Sequence, residues 1–146
     1  MSLGLALAGC TNASEKFSGL WITPDLVTLA DGVEVHIELG VGHFGPELVG
    51  VLRLEDAYGA PLAGCDCAVI EGALVRPDAE TFTAFAESPC QEGAAGSGRW
   101  ALSLTLDAES EPRRLTGTLA RADAPSLPVA FEALDAFVAP PLRDCP

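Results

Sequence analysis

The chain is predicted to fold as a single all-β domain, an antiparallel eight-stranded up-and-down barrel. Three observations point there. Eleven prolines and fifteen glycines are scattered along 146 residues, and that punctuation leaves little room for helices. The runs between them alternate apolar and polar residues with a period of two. Within those runs an apolar-x-Gly-x-apolar pattern recurs, and mid-strand glycine suits a strand that must coil or approach its neighbour closely.

The elements follow in order. Strands are expected at about 18–23, 33–41, 46–54, 66–75, 80–87, 99–106, 114–121 and 128–134. In the second, Val33, Val35, Ile37 and Leu39 face one way while Glu34, His36 and Glu38 face the other. The loop Gly42-His43-Phe44-Gly45 is expected to close a hairpin, with Leu39 opposite Leu48, Val35 opposite Leu52 and Glu34 opposite Arg53. In the sixth, Trp100, Leu102, Leu104 and Leu106 alternate with Ala101, Ser103 and Thr105. The glycine pattern appears as Phe17-Ser18-Gly19-Leu20-Trp21, Leu48-Val49-Gly50-Val51-Leu52, Ile70-Glu71-Gly72-Ala73-Leu74 and Leu115-Thr116-Gly117-Thr118-Leu119. Repeated bends of this sort are what barrel closure needs. The segment Val129 to Val138 also suits one short helix. A two-sheet β-sandwich is the alternative architecture, although the Cys…Trp…Cys order of immunoglobulin domains is absent.

Size and charge bound the function. At 15.1 kDa one core suffices, burying about 68–70% of the unfolded surface. The net charge of −13 opposes nucleic acid, whose phosphates demand a basic stripe, and polybasic docking on a membrane surface. With 49% hydrophobic residues and a mean hydropathy of +0.30, disorder is not expected. No apolar run reaches the roughly 20 residues of a membrane-spanning helix.

The N-terminus reads as an address. Met1 to Gly9 is apolar, ends in small residues before Cys10, and gives way to a polar stretch from Thr11 to Lys16. The box Leu7-Ala8-Gly9-Cys10 resembles the lipobox of bacterial lipoproteins. That resemblance implies that Cys10 is acylated and becomes the first residue of the mature chain, with residues 1–18 serving as partial signal peptide, lipobox and tether and 19–146 as the barrel domain. It implies export to the cell envelope and a membrane partner reached through lipid, since two or three acyl chains anchor stably. Without Cys10 an even set remains: Cys65, Cys67, Cys90 and Cys145, as expected of an exported, disulfide-bearing domain. Cys65 and Cys67 are sterically poor partners for each other. That leaves Cys65–Cys90 with Cys67–Cys145, or Cys65–Cys145 with Cys67–Cys90. The spacing lacks the paired C-x₂-C knuckles of zinc ribbons, so no metal is expected there.

The opening Gly19-Leu20-Trp21 and the run of short strands are similar to the small up-and-down barrels of the lipocalin and avidin type. That likeness carries over no ligand-contacting residues; separately, Trp21, Trp100 and Phe131 fall at inward positions of their strands, where they either line a cavity for a small apolar ligand or fill the core. The expected function is therefore non-catalytic: small-ligand binding or docking of an envelope partner, with no cofactor. A metal- or carboxylate-dependent hydrolase using His36, Glu34 and Glu38 is the competing possibility, set against a solvated strand face. A purely structural lipoprotein is the third. His43 is expected to be exposed in its turn, and the acidic stretch Asp107, Glu109 and Glu111 to be a solvated loop, since no calcium-loop pattern is present.

Overall fold

A computed structural model describes residues 16–29, 32–44, 46–62, 67–76, 78–87, 99–121 and 124–134. Along them run nine strands: β1 (Gly19–Ile22), β2 (Val27–Thr28), β3 (Glu34–Phe44), β4 (Glu47–Glu55), β5 (Cys67–Leu74), β6 (Thr81–Ala86), β7 (Trp100–Asp107), β8 (Arg114–Arg121) and β9 (Ala124–Ala133). Every pairing is antiparallel, and no helix occurs among the described residues. From β3 to β9 each strand pairs with the next; β1 then pairs with both β9 and β3, closing eight strands into a barrel. The extra strand, β2, lies on the edge of β3. Sandwich architecture is excluded by this closure, and Val129 to Ala133 is strand rather than helix.

Alternation decides the inside. Val35, Ile37, Leu39 and Val41 of β3 point inward with Leu48, Leu52 and Leu54 of β4, Ala68 and Ile70 of β5, and Phe82, Ala84 and Ala86 of β6. Trp100, Leu102, Leu104, Leu115, Leu119, Val129 and Phe131 complete one continuous apolar cluster. Each large side chain removed from water there contributes about 1.5–3 kcal/mol. At two positions of the glycine pattern the packing tolerates nothing larger. A Cβ on Gly50 would fall on the Gly40 carbonyl oxygen, and one on Gly117 on that of Ser103. Gly50 also sits where the β4–β5 register shifts.

The β3–β4 hairpin departs from expectation. Phe44 pairs with Glu47, Leu39 with Leu52, Ile37 with Leu54 and Glu38 with Arg53. Leu39 was expected opposite Leu48, so the register is offset by four residues. The strand continues past Val41 to Phe44, which leaves two residues for the turn instead of a four-residue loop. Because four is even, every side chain keeps its predicted face. The exception is His43. As the next odd position after Val41, it points inward and is fully buried beside Phe17, its ring centroid 5.4 Å away. It is a core residue, not an exposed turn residue.

One end of the barrel is closed from the N-terminal side. Phe17 and Trp21 are both fully buried. The Trp21 indole Nε1–H donates to the Phe17 carbonyl at 3.0 Å, and the Phe17 ring meets Phe82 edge-on at 4.8 Å. Arg113 covers the outer face of Trp21, its guanidinium 5.0 Å from the ring, and donates to the Lys16 carbonyl at 3.1 Å. The acidic turn before it satisfies itself. Asp107 accepts from the Glu109 N–H at 3.2 Å and the Ser110 hydroxyl at 2.6 Å. The Ser110 bond, helped by Glu109, lowers its pKa.

Candidate functional site

The expected site residues divide into those inside, those on the wall, and those beyond the described residues. Trp21, Trp100 and Phe131 are all fully buried and belong to the same core cluster. Around them Phe17, Ile37, Leu39, Leu48, Leu52, Leu54, Leu102, Leu104 and Leu115 are as deeply buried, so these positions are packed by side chains. Of the cysteines, Cys67 begins β5 and pairs across with Arg53. Cys10, Cys65, Cys90 and Cys145 lie outside the described residues.

His36, Glu34 and Glu38 sit on the outer face of β3, as the alternation requires. Glu34 is exposed and lies opposite Thr28 of β2. His36 and Glu38 are brought instead to Glu55 and Arg53 of β4, their direct cross-strand partners. Nδ1 of His36 lies 2.9 Å from the Thr23 carbonyl. A carbonyl only accepts, so this ring nitrogen is the donor of the bond. Glu38 forms a loose ion pair with Arg53, at 3.7 Å, and its carboxyl group lies beside that of Glu55. Burial raises the Glu55 pKa first, then the neighbouring Glu38 carboxyl. Arg53 offsets them only in part, and Glu55 stands at about 7. Sequence reasoning missed Glu55 and Arg53 as neighbours of His36 and Glu38, because its hairpin register was four residues out. Among the described residues no His, Cys, Asp and Glu group has the geometry to hold a metal ion.

A cleft lies at the barrel's seam, between β2 and β9. About 410 Å³ in volume, it is lined by Thr23, Pro24, Asp25, Leu26, Val27 and Thr28 on one side and Leu127, Pro128, Val129 and Ala130 of β9 on the other. Its surface is mainly apolar and Asp25 is its one charged residue. Nothing in the period-two pattern announced it, since it arises from a bulge at Pro24 to Leu26 and a two-residue strand. Among the described residues the surface thus offers a carboxyl pair, Glu38 and Glu55, on one wall and an apolar cleft at the seam. Comparison of the chain with protein families, with curated proteins and with solved structures yields no match.

Proposed function

We propose that the chain is a lipid-anchored lipoprotein of the bacterial cell envelope whose barrel acts, without catalysis, as a partner-docking module. One observation carries the docking half: large side chains fill the inward positions around Trp21, Trp100 and Phe131, while an apolar cleft opens at the seam between β2 and β9. Apolar concavities with few polar groups are where proteins bind one another or a ligand. The hydrolase alternative has less support, because His36, Glu38 and Glu55 lie on an outer wall rather than in a cleft that excludes water. The lipid anchor rests on the Leu7-Ala8-Gly9-Cys10 box. Disulfide bracing is supported by Cys67, which is a half-cystine and not a free thiol, its partner lying outside the described residues.

Two measurements test this reading. Cys10→Ser should move the precursor from the membrane fraction to the soluble one; retention in the membrane counts against acylation. A native mass spectrum of the Cys10→Ser chain, made in an oxidising periplasm, should give a bare polypeptide mass. Extra mass released on denaturation would mean a resident small ligand and would overturn docking in favour of it.

A further inference from the structure

The barrel seam is zipped along only part of its length. Trp21 and Ile22 of β1 pair with Leu39 and Glu38 of β3 on one side and with Ala133 and Glu132 of β9 on the other. After Ile22 the two sides part. The chain bulges through Pro24, Asp25 and Leu26 and resumes as β2, where Val27 lies opposite Val35 of β3. β9 runs on in the other direction to Ala124, and between Leu127 and Ala130 no described strand pairs with it on the seam side. The cleft fills this gap.

The hydrogen-bonding sense of both walls is fixed by their neighbours. The Ala133 N–H donates to the Arg113 carbonyl at 2.9 Å, across to the β8 side, and the Leu134 N–H to the Leu20 carbonyl at 3.0 Å, across to β1. Alternation along an antiparallel strand therefore turns Val129 and Phe131 toward β8, and Ala130 and Glu132 toward the seam. Glu132 meets Ile22 there. The N–H and carbonyl of Ala130, and the carbonyl of Pro128, meet the cleft. On the opposite wall the Leu29 N–H donates to the Val33 carbonyl at 2.8 Å, so the backbone of Thr28 points away from β3. Pro24 and Pro128, which have no N–H to give, stand one on each wall and prevent the two from zipping together.

We infer that the cleft takes one extended peptide segment of a partner protein, laid in as an added stave along β9, carrying small or β-branched apolar side chains flanked by Lys or Arg. This rests on the docking reading above. Inward-facing backbone groups select an extended backbone, as in recognition by strand addition. Leu26, Val27 and Leu127, between the two prolines, suit short apolar side chains. Asp25 is the cleft's one charge and the chain carries −13 overall, which selects a basic flank over an acidic one.

The test is a titration of the full-length Cys10→Ser chain, labelled with nitrogen-15, with the hexapeptide Lys-Val-Thr-Val-Thr-Lys and its counterpart carrying Glu for Lys. The basic peptide should shift the amides of Ala130, Thr28 and Asp25, and the acidic one should bind at least tenfold more weakly. Ala130→Pro removes the edge donor without touching the bonds of Val129 and Phe131 to β8, and should weaken binding at least tenfold. If that variant does not fold, Asp25→Lys serves: it should erase or reverse the preference between the peptides. Silence at the cleft with both peptides into the millimolar range overturns the peptide occupant and leaves docking at another surface standing. Concentration-dependent broadening of the same amides without peptide assigns the cleft to a second copy of the chain, which also overturns it. Shifts confined to inward residues such as Leu102 and Leu104 overturn the inference and the docking reading together.

Discussion

At Gly117 the absence of a side chain is a packing requirement. A methyl group there would meet the carbonyl oxygen of Ser103 on the adjoining strand, and backbone cannot swing aside as a side chain can. Gly117→Ala should therefore cost about 3 kcal/mol or more, at the upper end for overpacking. Gly40→Ala is the matched comparison, because its new Cβ would meet Val51 Cγ2 at an ordinary 3.5 Å and should change stability by less than about 1 kcal/mol. Urea unfolding of the two variants side by side checks this, and equal losses would contradict it. Glu55 makes a prediction in pH. Its folded pKa, about 7, lies above its ordinary 4.5, so between those values the unfolded chain gives up the proton first. This contribution to stability is complete below about pH 4.5 and is lost as pH rises through 7. Glu55→Gln should flatten that fall and raise Tm at pH 8. A variant that melts with the wild-type pH profile would show that the Glu55 carboxyl is not held above its ordinary range.

Among elements, the N-terminal segment does the most with the fewest residues. Phe17, Trp21 and Arg113 join the start of the chain to the turn before β8, and the contact of Arg113 with Trp21 and Lys16 should contribute about 1–2 kcal/mol. Arg113→Ala should lower Tm by several degrees, with Arg113→Lys recovering only part, because an ammonium lacks the planar face and the fork of donors. An unchanged Tm in Arg113→Ala would remove that closure from the account. How far the elements could be read from the sequence depended on what fixes them. Strand positions and faces follow from local alternation, so Val35 to Val41 and Trp100 to Leu104 were legible, as was the close backbone approach at Gly50 and Gly117. Register depends on the turn, and the difference between a four-residue loop and a two-residue turn moved Glu38 from an unspecified neighbour to Arg53 and buried His43. The cleft was illegible for a different reason. Pro24 and Pro128 hint at an interrupted pairing, but the period-two pattern does not say which two strands face each other across the seam, so the two prolines could not be placed on opposite walls from the sequence.

At the scale of the whole molecule, the chain is a closed barrel whose inward positions are filled among the described residues, whose seam is zipped along part of its length, and whose charge is strongly acidic. If disulfides brace the domain, reductant should lower its Tm markedly, since each bridge contributes about 2–4 kcal/mol; an unchanged Tm would remove them from the account. The central claim is the half-zipped seam, and amide hydrogen exchange along β9 tests it most directly. Exchange rates report which amides are bonded within the sheet and which face solvent. Val129, Phe131 and Ala133, turned toward β8, should be strongly protected, and Leu134, bonded to Leu20, should be slowed. Ala130, lying between two protected neighbours, should exchange at least a hundredfold faster than either. Protection of Ala130 equal to that of Val129 and Phe131 would mean that the seam is zipped to its end, and the docking cleft would go with it.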